Sequence, residues 1–200
     1  MPSSTGSWPV KPDGFRACGM LASCLVARPG SQSALIVEVP EAEAAVARHR
    51  ERFDANASLG IPAHFTVLFP FMSPGAIGPP VLGQLECLFA SVCGFRFQLA
   101  STAWFSDEVL WLAPRDPAPF RALTGRVYEA FPAFPPFGGQ YSDVVPHLTV
   151  GQGHLVTDMR AAGESVRERL PIEARAAAVT LMTEQSAGGR WARAARFTLA

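Results

Sequence analysis

The chain is 200 residues long, 48% hydrophobic and 17% charged, and its 17 Lys plus Arg balance 17 Asp plus Glu to a formal net charge of zero. That length suits one well-buried domain or two small lobes sharing a core, and the composition excludes a disordered or fibrous chain. A zero balance argues against a protein that grips long duplex nucleic acid by its phosphates, which calls for a basic excess, while a small anionic ligand held by a few local groups is compatible with it.

Residues 1 to 33 are rich in Ser, Gly and Pro without sustained periodicity and read as an irregular N-terminal arm. Its apolar stretch "MLASCLVA" is too short to span a membrane, and "LASC" at 21 to 24 follows Arg16 too closely for a secretory signal. A cytoplasmic protein with no membrane association is therefore expected. The regular pattern begins at "ALIVEVP" (34 to 40), a β-branched strand stopped by proline. "EAEAAVARHRERFD" (41 to 54) follows, with helix formers and an acidic first turn. Next come the apolar run "AHFTVLFPF" (63 to 71) and a helix at about 79 to 92 with prolines at its start. "FRFQLASTAWF" and "EVLWLAP", joined at Ser106 and Asp107, read as a hairpin.

The same succession then recurs. "EVLWLAP" leads into a helix over "PAPFRALTGRVYEAF", a proline- and aromatic-rich connection leads to "VVPHLTVG", and a helix at about 155 to 170 precedes a closing hairpin of "EARAAAVTLMTEQ" with "RWARAARFTL". This predicts a single α+β domain over 34 to 200, bilobal, made of two duplicated β-α-β-α-hairpin halves at about 34 to 107 and 108 to 200. A pseudo-twofold axis would set two antiparallel-rich sheets on either side of a central cleft. The four cysteines, Cys18, Cys24, Cys87 and Cys93, form two pairs with five residues between partners, a spacing unlike that of structural zinc sites. Reduced, mostly buried thiols are expected.

Two polar pairs interrupt the apolar strands, His64 with Thr66 and His147 with Thr149. Successive strand residues face opposite ways, so each His shares a face with its Thr while Phe65 and Val67, or Leu148 and Val150, face the core. Two imidazoles across a pseudo-twofold cleft suit in-line displacement at phosphorus without a metal. One takes a proton from the attacking oxygen, the other gives one to the leaving oxygen, and threonine hydroxyls donate to the non-bridging oxygens.

His64-Phe65-Thr66 and His147-Leu148-Thr149, each on a strand of a duplicated α/β half, resemble the 2H phosphoesterase superfamily, in its bacterial 2′-5′ RNA ligase and cyclic phosphodiesterase branch. The resemblance covers about 34 to 200 and extends to the Pro-Phe ending of "HFTVLFPF" and to "GGRWARAARFTL". It implies His64 and His147 as a catalytic acid/base pair, Thr66 and Thr149 as phosphate contacts, and no cofactor. It also implies action on 2′,3′-cyclic phosphates or 2′-5′ linked nucleotides and short RNA, with 2′-5′ RNA ligation or non-catalytic nucleotide binding on the same fold as alternatives. The run of basic residues suited to a tRNA-sized substrate is missing, which favours a small nucleotide or short oligonucleotide. Arg190, Arg193 and Arg196 are candidates for substrate phosphates, and Tyr141, Phe71 and Trp104 for stacking on a base, against the default of a solvated hairpin face and core packing. A metal-dependent hydrolase would need a further ligand, for which Asp143 is the nearest carboxylate to His147. His49 and His154 lack a threonine partner and read as solvated. Oligomeric state is not legible, and a monomer is the default expectation.

Overall fold

The computed structural model describes residues 30–141 and 143–200. Most of the expected arm, with Cys18 and Cys24, lies outside the described residues, and Ser33 already belongs to the first strand, β1 (Ser33–Glu38). Pro40 opens helix α1 (Pro40–Phe53), where its fixed φ and missing N–H cost nothing. Glu41 and Glu43 lie in its first turn and Arg50 and Arg52 in its last, as the helix dipole favours. Asp54 ends it and, by accepting from the Asn56 N–H, caps the short helix α2 (Ala55–Ser58). The first motif strand, β2 (His64–Leu68), alternates half-buried and buried positions as expected.

Beyond it lie a 3-10 turn at Pro74–Ala76, α3 (Pro79–Ala90), β3 (Phe95–Phe105) and β4 (Val109–Pro114), then α4 (Ala118–Ala130) and a second 3-10 turn at Pro136–Gly139. The second motif strand is β5 (Leu148–Gln152), followed by α5 (Val156–Arg167), β6 (Ile172–Ala176), β7 (Ala178–Glu184) and β8 (Trp191–Thr198). Among the described residues all strand pairs are antiparallel, and they make two four-stranded sheets, ordered β2-β1-β7-β8 and β5-β4-β3-β6. The architecture is α+β, with two antiparallel sheets and helices packed on them.

The sheets do not divide where the two halves were expected to meet. The first takes β1 and β2 from one end of the chain and β7 and β8 from the other, and the second takes everything between. A boundary near residue 107 would cut the β3–β4 hairpin, whose register runs from Leu99↔Pro114 to Phe105↔Val109. The segment expected as one strand of the closing hairpin is two strands: β6 ends the second sheet, and the chain crosses at Ala177 into β7 of the first.

Among the described residues the main core lies between the layers, and a small second cluster of Ala34, Ile36 and Met182 lies apart from it. Phe65, 1% exposed, stacks on Phe120 of α4 with ring centroids 4.1 Å apart, and Phe97 meets both rings edge-on. The apolar side of β5, Leu148 and Val150, is fully buried. Helix α1 lies against β5, and at Gly151 a Cβ would stand 2.7 Å from Phe53 Cβ, so the helix seats this closely only over glycine. Helix α4 lies in turn against β2, so each long helix leans on the motif strand of the other sheet. Cys87 and Cys93 are free thiols and exposed, because they sit on the outer side of α3 and the turn after it, contrary to the buried placement expected.

Candidate active site

His64 and Thr66 on β2 and His147 and Thr149 at β5 all line one cavity of about 320 Å3. The strands explain the convergence. Glu38 pairs with His64 and Ile36 with Thr66 across the β1–β2 ladder, while Trp111 pairs with Thr149 across β4–β5. Cross-strand partners share a face, so each sheet turns its polar pair away from the core.

Each imidazole is anchored the same way. His64 donates from Nδ1 to the Pro62 carbonyl at 2.7 Å, and His147 donates from Nδ1 to the Val145 carbonyl at 2.7 Å. A carbonyl can only accept, so both neutral rings carry the proton on Nδ1 and present Nε2 as the free acceptor. Burial at the base of the cavity pushes the His64 pKa down to about 4, against the bond to Pro62, which raises it; Arg50 lowers it, Asp54 raises it, and His147 lowers it. Burial also pushes His147 down, again opposed by its carbonyl bond. A proton on His147 therefore disfavours one on His64.

The rest of the lining is mainly aromatic and aliphatic, with Phe69, Phe105, Phe137, Tyr141, Val109 and Val145 around the amides of Asn56 and Gln152 and the carboxylates of Asp54 and Asp143. Phe105 stacks on Trp111 at 4.7 Å and takes the His147 ring edge-on at 5.0 Å, which holds that imidazole against a rigid wall. Asp54 is committed to Arg50 (2.8 Å) and Asp143 to Arg121 (3.1 Å).

Of the other sequence candidates, Tyr141 lines the cavity and stands edge-on to Phe137 at 5.8 Å. Phe71 does not: it is 5% exposed and packs edge-on against Phe131 and Phe134, because it lies beyond the end of β2 where the chain turns inward. Arg190 and Arg196 are exposed and absent from the lining, and Arg193 is tied to Glu38 by bonds of 2.9 and 2.7 Å. That guanidinium holds the Glu38 carboxyl below its usual range. Trp104 packs on the core. His49 contacts Ser165 at 3.4 Å and His154 meets Phe53 edge-on at 5.3 Å, and neither lines the cavity. Phe105, Phe137, Asn56 and Gln152 carried no signal in the sequence, since turns and hairpin ends deliver them. Among the described residues no group of three or more His, Cys, Asp or Glu side chains is disposed to hold a metal ion, and Asp143 serves Arg121 instead. No helix among them is long and apolar enough to cross a membrane.

Residues 38–188 match the model of a family described as the 2'-5' RNA ligase superfamily. No curated protein matches the chain significantly. Among solved structures, E. coli LigT complexed with 3'-AMP superposes with a TM-score of 0.54 at 16% identity, over 85% of this chain and 98% of that one. E. coli LigT complexed with NADP+ gives 0.53 at 17%, over 86% and 98%. The Thermus thermophilus protein TT0787 gives 0.53 at 18%, over 84% and 97%. At these identities the structural likeness is one of fold.

Proposed function

The chain belongs to the 2′-5′ RNA ligase superfamily, and from that premise we propose that it is a metal-independent phosphodiesterase acting on 2′,3′-cyclic phosphates or 2′-5′ linked nucleotides and short RNA. One observation carries the reading: two imidazoles, each with Nδ1–H spent on the carbonyl two residues back, face one cavity whose walls also hold both threonines. Nε2 of one histidine takes a proton from the attacking water as its oxygen bonds to phosphorus. The P–O bond to the leaving ribose oxygen breaks in line, and Nε2–H of the other histidine protonates that oxygen, leaving a phosphomonoester. Thr66 and Thr149 hydroxyls donate to the non-bridging oxygens as charge builds there.

The cavity also suits a nucleoside. Phe105 and Tyr141 offer faces on which a base can stack, and the Asn56 and Gln152 amides are within the same lining for ring or ribose polar groups. The crystal complex of E. coli LigT with 3'-AMP, a nucleotide with a ribose phosphate, supports a ligand of this kind. Turnover of 2′,3′-cyclic nucleotides and 2′-5′ dinucleotides is to be measured with and without a chelator. Turnover that survives chelation and disappears in His64→Ala and His147→Ala is expected. Binding without turnover, or turnover that needs added divalent metal, contradicts the reading.

A further inference from the structure

The loops that lead into the two motif strands are held by arginines in the same way. Three residues before His64, the Ile61 carbonyl accepts from the Arg50 guanidinium at 3.1 Å; three residues before His147, the Val144 carbonyl accepts from Arg121 Nε at 3.0 Å. The next carbonyl in each case, Pro62 or Val145, takes the Nδ1–H of the histidine. Each guanidinium is also paired with an aspartate that lines the cavity, Arg50 with Asp54 and Arg121 with Asp143, yet neither arginine is itself among the lining residues. The two come from the long helices α1 and α4, which follow β1 and β4 in the repeated element order.

We propose that Arg50 and Arg121 are a duplicated pair of positioning residues, each fixing the peptide beside the carbonyl that sets the tautomer and aim of its histidine. The inference rests on the paired-histidine reading only for its kinetic consequence. Adjacent peptide planes share one Cα, so a carbonyl pinned at Ile61 or Val144 restricts rotation of the next, and the ring bonded to that next carbonyl turns with it. In-line chemistry is sensitive to such aim, since a displacement of about 1 Å can cost on the order of a hundredfold. The aspartates complete the device. A bare guanidinium beside His64 would oppose its protonated form, and the Asp54 carboxylate beside Arg50 offsets that, so the clamp supplies hydrogen bonds with little net charge. Arg50, with a side chain only 3% exposed, has no route to a substrate phosphate, which separates this role from phosphate binding.

The test is the imidazole nitrogen spectrum of the resting full-length protein, read together with steady-state kinetics on a 2′,3′-cyclic nucleotide. Arg121 stands 46% exposed, so Arg121→Met is expected to fold with an unchanged melting temperature. It should convert His147 from the single Nδ1–H tautomer to a mixture, leave His64 untouched, and lower kcat on the order of tenfold with KM within about twofold. Arg121→Lys, which restores one donor, should recover most of both effects. Arg167→Met, at an exposed pair with Glu164 whose residues do not line the cavity, serves as the control. An unaltered His147 tautomer in Arg121→Met, or a loss confined to KM, overturns the proposal. Absence of turnover in the unmodified protein would sink the phosphodiesterase reading instead, while the tautomers still decide the clamp.

Discussion

Behind His64 the arginine–aspartate pair is sealed from water, with side chains 3% and 1% exposed, whereas behind His147 the pair stands 46% and 59% exposed. The histidines themselves do not differ in this way: both are half-buried, and both donate from Nδ1 to the carbonyl two residues earlier at 2.7 Å. Aim at the cavity is thus duplicated, while the support has diverged. On the first side, Asp54 accepts from Arg50 and the Asn56 N–H, joining helix end, cap and motif loop into one buried network. On the second, Asp143 is a loop residue and its ion pair is open to screening. The lesson is that the chemistry constrains the last hydrogen bond before the substrate, and stability constrains only one of the two networks behind it.

Substitutions at the two motifs and their supports test whether that contrast is real. The largest effect is expected at the imidazoles: His64→Ala and His147→Ala should each lower kcat on the order of 10² to 10⁴, similarly on both sides, as measured with a cyclic nucleotide. Unequal losses would break the symmetry. The asymmetry should appear in stability instead. Asp54→Ala strands a buried guanidinium and should cost about 3–5 kcal/mol in urea denaturation, while Asp143→Ala should cost no more than about 1 kcal/mol. Next in size, Thr66→Val and Thr149→Val should each lower kcat on the order of 10², with little change in KM, since the hydroxyls act on charge that develops in the transition state.

The smallest effects concern pH. Both histidine pKa values lie below the ordinary 6.5, so the pH profile of kcat/KM should be bell-shaped with its maximum on the acid side of 6.5. Linkage gives the stability sign. An unfolded histidine takes up a proton near pH 6.5 and folded His64 only near 4, so His64's contribution is complete above 6.5 and is lost as the pH falls from there to about 4. Melting temperatures over that window should fall less steeply in His64→Asn than in the unmodified chain.

Much of the site could be read from the sequence because a strand has a period of two. His64 with Thr66, and His147 with Thr149, had to share faces wherever the strands lay, and the strand pattern located both. Of the three aromatics named as candidates for stacking on a base, Tyr141 is the one that lines the cavity. Phe71 misled because the alternation ends at Leu68, after which position along the chain no longer says which way a ring points. Arg190 and Arg196 misled because the β8 region carries them on exposed positions outside the cavity. The repeat of element order was legible too, but the sheets were not: β1 pairs with β7 through contacts such as Leu35↔Leu181, and nothing local in either strand announces a partner so distant. Arg50 and Arg121 escaped notice for a related reason. They stand at different distances from their histidines in sequence, and only packing brings both to the third carbonyl before the imidazole.

A double-mutant cycle on His64 and His147 asks whether the two faces are one machine. With cyclic nucleotide turnover measured for both single alanine variants and for the double variant, an acid and a base acting in the same displacement should lose their contributions together. The double variant should then be about as slow as the slower single one. Losses that multiply across the cycle would show two independent contributions, and the paired site proposed for this cavity would be wrong.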